Sequence, residues 1–240
     1  MFISSSLIHH PNIALSSNGS GYKDTDLGMR VRILPEQLIK LISLRFYQFN
    51  MAKRQFTPKQ YDRLLRDYIR KKEVVKIFRT VADGEANIHG FILDMSNDFL
   101  LIQTELEFYL NGYAVIRRDH FDSLRCNKFD KTFKKILTKE GVVKSDYGIS
   151  KKINLKNWQT IFSSLKSHDL HIILECENLK EPVFLIGPIK KVNDKSVNIQ
   201  YYDPTGKLDK KATKVNYKDI TLVKFDDRYL NVFRKYLKAP

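Results

Sequence analysis

What this 240-residue chain lacks already narrows what it can be. It has two cysteines, Cys126 and Cys176. They share no metal-ligand spacing and no disulfide framework, a pattern that points to a reducing, cytoplasmic setting. No apolar run approaches the roughly 20 residues needed to span a bilayer. The first residues, "MFISSSLIHHPNIALSS", lack an early positive charge and are interrupted by His9, His10 and Pro11, so they make a poor signal peptide. Glycine is sparse, at 10 residues, whereas Phe (15) and Tyr (12) are plentiful, which suits packed, strand-containing structure. Acid is also short: 27 Asp and Glu stand against 42 Lys and Arg, for a formal net charge of +15. The excess is +2 in residues 1–50, +6 in 51–145 and +7 in 146–240, so it is spread through the body and is no basic tail. Such a field attracts polyanions; a biased composition that only gains solubility would look the same.

Residues 1–50 differ from the rest. "ALSSNGSGYKDTD" is polar and turn-rich, and "LPEQLIKLISLRFYQF" could form an amphipathic helix. Met51, followed by Ala-Lys-Arg, resembles a natural start, and residues 1–50 are expected to be an over-extended reading frame or a weakly ordered extension.

Behind Met51 the chain repeats itself with a shift of 97 residues. Tyr61 meets Trp158, Leu64 meets Ile161, Leu65 meets Phe162, Gly90 meets Gly187, Ile102 meets Ile199 and Gln103 meets Gln200. After a small length change, Phe129 meets Tyr229 and Phe133 meets Phe233. Each copy begins with a helix, the first capped by Thr57 with Pro58 behind it. Five strands follow, near 73–80, 88–95, 98–104, 112–118 and 120–126, separated by turn signals at "ADGEAN", "SND" and "LNG", and a helix over 128–139 closes the copy. The second copy has a helix near 155–166, strands near 170–177, 182–192, 195–202, 210–216 and 219–225, and a last helix over 226–237. The expected domains are therefore 51–144 and 155–240, with the linker 145–154 between them. Five short strands in about 55 residues suit a small bent barrel, whose closure removes exposed edges. The expected fold class is mainly β with flanking helices, as two tandem five-stranded SH3-type barrels.

The strand pattern resembles the Sm-like family. Gly90, Ile92 and Met95 match the skeleton of its first motif, with Ser96 and Leu100 in place of its Asp and Asn. In the second copy Gly187, Ile189 and Val192 match, with Asn193 and Val197 at the polar positions. Ile116, Arg117, Phe121 and Leu124 match the second motif, with Arg118 where Gly is expected; Val215, Ile220 and Val223 match in the second copy, with Asn216 in place of Arg. The resemblance implies single-stranded RNA binding, with a base held between the strand 2–3 loop and the motif-two Arg. Here that means Asn97 and Arg117, with Arg118 and His120 nearby. The arginines could equally be hairpin charges paired with Asp119 or Asp122.

A second set of candidates comes from charge alone. Lys59, Arg63, Arg66 and Arg70 form one stripe of the first helix; Lys190 and Lys191 form a loop patch; Lys211 and Lys214 belong to a lysine-rich run in the second copy. "DPTGK" (203–207) lacks phosphate-loop spacing and is expected to be a turn. His168 and His171 lie near Glu175 without further ligands, so neither metal nor cofactor is expected. No nucleophile–base pair is evident. The expected function is a non-enzymatic protein that binds RNA or single-stranded nucleic acid, with no membrane partner, as a monomer or homodimer. The alternative is a protein-interaction or scaffolding module.

Overall fold

The computed structural model describes residues 57–82, 84–143, 148 and 152–238. The candidate extension 1–50, the proposed start at Met51 and most of the expected linker lie outside the described residues.

Helix α1 (Pro58–Lys71) starts as its sequence dictates. The Thr57 hydroxyl accepts from the Gln60 amide, and the Gln60 side chain accepts from the Thr57 amide at 2.8 Å, a reciprocal cap that satisfies two otherwise orphaned donors. The helix seats Leu65 in the core and leaves Lys59, Arg63, Arg66 and Arg70 exposed. Strands β1 (Val74–Val81), β2 (Gly84–Met95), β3 (Phe99–Leu106) and β4 (Tyr109–Arg117) form antiparallel neighbours. A 3-10 turn (Arg118–His120) then carries the chain across to β5 (Ser123–Arg125), which pairs with the far side of β1. Helix α2 (Lys128–Lys139) follows. The second half has helix α3 (Trp158–Ser167), strands β6 (His171–Cys176), β7 (Val183–Val192), β8 (Ser196–Ile199) and β9 (Thr213–Asn216), a second 3-10 turn (Tyr217–Asp219), β10 (Leu222–Phe225) and helix α4 (Arg228–Phe233).

The strand order is β5-β1-β2-β3-β4-β10-β6-β7-β8-β9 in one antiparallel sheet. Two separate closed barrels are therefore not what the chain forms. The outer edge of β4 pairs with β10, Ile116 against Leu222 and Tyr113 against Phe225, instead of closing on its own half. The physical reason is that β4 and β10 each bury apolar side chains on both faces. Ala114, Ile116 and Leu222 pack into the first half's core with Leu65 and Ile77. Tyr113, Val115, Val223 and Phe225 pack into a larger core with Trp158, Phe162 and Leu174. Separate closure would leave one of those rows in water, whereas the joint buries both. A buried ion pair crosses between the halves as well: the Arg79 guanidinium, 2% exposed, donates to Glu177, which also accepts from Thr221 at 2.6 Å.

The register recurs between the halves. Ile92 pairs with Ile102 and Ile189 with Ile199, each followed by a bulge in the same place, and Leu100 pairs with Ile116 as Val197 does with Val215. Gly90 and Gly187 face the neighbouring strand so closely that a Cβ on either would overlap the carbonyl oxygen of Gln103 or Gln200. One turn lies elsewhere than expected. The β3–β4 connection is made by Glu107 and Phe108, both at positive φ (47° and 66°), and "LNG" falls within β4.

Candidate nucleic-acid interface

The motif arginines are committed to the fold. Arg117, at the end of β4, grips Asp119 in the adjoining 3-10 turn with two hydrogen bonds of 2.9 and 2.5 Å. Each partner stabilises the other's charge: Asp119 raises the Arg117 pKa, and the Arg117 guanidinium holds the Asp119 carboxyl below the usual range. Arg118 donates to the Ser96 carbonyl at 3.1 Å and to Asp62 of α1, so it ties the helix to the β2–β3 turn. In the second half the Tyr217 hydroxyl reaches the corresponding turn, donating to the Asn193 carbonyl at 2.7 Å, while its ring stacks on Phe162 of α3. His120 is half-buried, and burial pushes its pKa down, toward the neutral form. Asn97 stands exposed at the tip of the β2–β3 turn.

Arg117 does line a cleft, of about 380 Å³, between the halves. Asp98 and Phe99 share its first wall; Asn157, Trp158, Gln159, Asp194 and Tyr217 form the other. The cleft's one arginine is paired with Asp119, and Asp98 and Asp194 face the same space, so its field repels phosphate. Phe99 meets Trp158 edge-on at 4.8 Å, and both are buried, so neither offers a free face to a base.

The remaining candidates separate into two surfaces. On α1, Arg70 and Lys71 both pair with Asp67, at 2.5 and 2.6 Å. Lys59, Arg63 and Arg66 are exposed and make no ion pair among the described residues. The second half carries the denser surface. Lys190 and Lys191 end β7, Lys195 sits in the β7–β8 turn, Lys210 and Lys211 precede β9, Lys214 lies on β9, and Lys218 lies in the turn after it. All are exposed, and none is ion-paired among the described residues. Strand β9 is one outer edge of the sheet, β5 being the other. Tyr217 donates its amide to the Lys195 carbonyl; by the alternation of a strand, Lys214 and Asn216 turn their backbone groups away from β8.

The "DPTGK" segment is a turn: the Asp203 carboxylate accepts from the Thr205 and Lys207 amides at 2.8 and 3.1 Å, and Gly206 adopts φ +81°. His168 caps α3, and His171 is buried in β6. Among the described residues no group of three or more His, Cys, Asp or Glu side chains is placed to hold a metal ion. No helix among them is long and apolar enough to cross a membrane.

Phe129 and Tyr229, which the repeat matches with each other, are both exposed, and so are Phe108 and Tyr236, which the sequence pattern did not single out. Apolar patterning alone does not distinguish such positions from core ones. Comparison of the chain with protein-family models, with curated proteins and with solved structures finds no match in any of the three.

Proposed function

We propose that the chain binds RNA or another single-stranded nucleic acid without catalysis, chiefly through phosphate contacts, and that the working surface is the lysine field of β7–β9. The observation that carries this reading is that Lys190, Lys191, Lys195, Lys210, Lys211, Lys214 and Lys218 are all exposed and lack acidic partners among the described residues, whereas Arg117 and Arg118 are spent on internal contacts. Phosphates require exposed cations that can displace the counterions condensed on the strand, without exact spacing.

The test is the affinity of a fluorescein-labelled single-stranded RNA, followed by anisotropy across a salt series. Each phosphate contact contributes a slope of about −0.7 in the log–log plot. Replacing Lys210, Lys211 and Lys214 with Gln removes up to three contacts and flattens the slope by about 2. Absence of binding at low salt overturns the proposal. That outcome promotes a protein-interaction role, for which the exposed shoulder of Phe108, Phe129 and Ile136 is the supporting feature.

A further inference from the structure

The lysine field adjoins an aromatic column that runs from the core to solvent. His171 lies 6.0 Å from Tyr202, Tyr202 stacks on Phe233 at 5.2 Å and 8°, and Phe233 stacks on Tyr229 at 5.2 Å and 20°. Tyr202 is buried, Phe233 is half-buried and Tyr229 is 53% exposed, so the column ends in an aromatic ring open to water. Tyr236, in the 3-10 turn after α4, is 70% exposed. The backbone fixes this end of the chain beside the lysines. Lys238 donates its amide to the Gly206 carbonyl at 2.8 Å, and Leu208 donates to the Lys238 carbonyl at 3.4 Å. Gly206 sits against the Tyr236 carbonyl, in a space where a Cβ does not fit. The 203–211 segment, with Lys207, Lys210 and Lys211, is thereby held next to the segment carrying Lys235 and Tyr236.

We infer that Tyr229 and Tyr236 are stacking platforms for unpaired bases, with the strand's phosphates tracking Lys207, Lys210, Lys211 and Lys235. This rests on the proposed nucleic-acid function and names the site within it. A base placed on the outer face of Tyr229 extends a stack that the protein has already ordered, so little further entropy is lost. Stacking on a tyrosine asks only for a flat π-face, whatever the base. The 203–211 segment also carries two carboxylates, Asp203, which the Thr205 and Lys207 amides and the Thr205 hydroxyl hold in its charged form, and the exposed Asp209. Lys207, Lys210, Lys211 and Lys235 outnumber them, so the net charge facing the strand is positive. A single strand is the fitting partner because a duplex keeps its bases stacked on one another and unavailable to a protein ring.

The experiment compares two polymers of equal charge on the full chain: a labelled oligouridylate of about twelve nucleotides, within the usual site sizes, and an abasic sugar–phosphate oligomer of the same length. The wild-type protein should bind the oligouridylate about a hundredfold more tightly, about tenfold for each platform, with the same salt slope for both. Tyr229→Leu with Tyr236→Leu keeps apolar bulk but removes the flat rings, and it should abolish the preference while leaving the slope unchanged. Tyr229→Phe with Tyr236→Phe keeps the rings and should retain the preference, which separates stacking from any loss of fold. Equal affinity of the wild-type protein for the two polymers overturns the platforms and leaves phosphate binding standing, as does a preference that survives in the Leu variant. Failure to bind either polymer at low salt overturns both the platforms and the proposed function.

Discussion

His171 makes the stability of the fold depend on pH in a defined window. It lies on β6 at the inner end of the aromatic column, buried, with its Nδ1 making no hydrogen bond among the described residues. Burial pushes its pKa down from 6.5 to about 4; Arg234 and Lys190 act in the same direction, and Asp169, itself held by Arg234 at 2.7 Å, opposes them. The unfolded chain therefore takes up a proton below about pH 6.5 that the folded chain refuses until about pH 4. The resulting stabilisation is fully present above pH 6.5 and is lost as pH falls through that window. The difference between the two pKa values corresponds to about 3 kcal/mol. In urea, with a slope of about 1–3 kcal/mol per molar, the unfolding midpoint should fall by about 1 M or more between pH 7 and pH 4.5. His120, also depressed by burial, adds in the same direction. The comparison that isolates His171 is thus His171→Phe, which keeps a ring in the column and should flatten most of the decline. Asp130 does not confuse the reading. Burial raises its pKa, but the Arg125 pair and the Asn127 amide more than offset this and hold it low, so its contribution disappears only in stronger acid, below about pH 4. Asp227, whose carboxyl burial pushes up, works in the opposite direction as pH falls, so the result that refutes the argument is a His171→Phe variant that declines as steeply as wild type.

Three further outcomes follow from the sheet and its joint. Arg79→Met strands the Glu177 carboxylate at the contact between the halves and should cost about 3 kcal/mol; a cycle with Glu177→Gln in urea unfolding should show strong coupling, and additive losses would contradict the pair. Gly187→Ala forces a methyl against the Gln200 carbonyl and should cost about 3 kcal/mol, measured by thermal unfolding; a neutral effect would mean that the strands can part there. Lys214 occupies on the edge strand β9 the register position that Val115 holds in the buried joint. Lys214→Val should therefore promote concentration-dependent self-association in sedimentation velocity, since an edge lysine discourages strand addition; unchanged sedimentation would show that the edge is guarded by something else.

Local elements were legible in the sequence, and long-range partners were not. Helix 128–139 has the bounds expected for it, and Thr57 and Pro58 mark the start of α1. A glycine inside a strand signals a bulge or tight bend; a bulge does follow Gly90 and Gly187, but their close approach to the neighbouring strand was not legible. The β3–β4 turn escaped because Glu107 and Phe108 adopt positive φ without the glycine or asparagine that normally signals it. The β4–β10 joint escaped for a different reason. An apolar strand looks the same whether its edge closes a barrel or meets a strand more than a hundred residues away. Only the unusual burial of consecutive residues Tyr113, Ala114, Val115 and Ile116 hints at two cores, and that becomes visible only once the sheet is assembled. At the candidate site, the arginine pair drew attention by its motif position. Its fate depended on Asp62, 56 residues before Arg118 in the chain, and on the Asp119 beside it. The lysines were visible as composition, but their freedom from acidic partners was not.

The most direct measurement is photochemical cross-linking of a bound single-stranded RNA to the full chain, with the attachment sites located by mass spectrometry. The account predicts cross-links within 190–238, concentrated around Lys207–Lys214 and at Tyr229 and Tyr236. Cross-links confined to α1, or to Asn97 and Arg117 at the cleft, would contradict it.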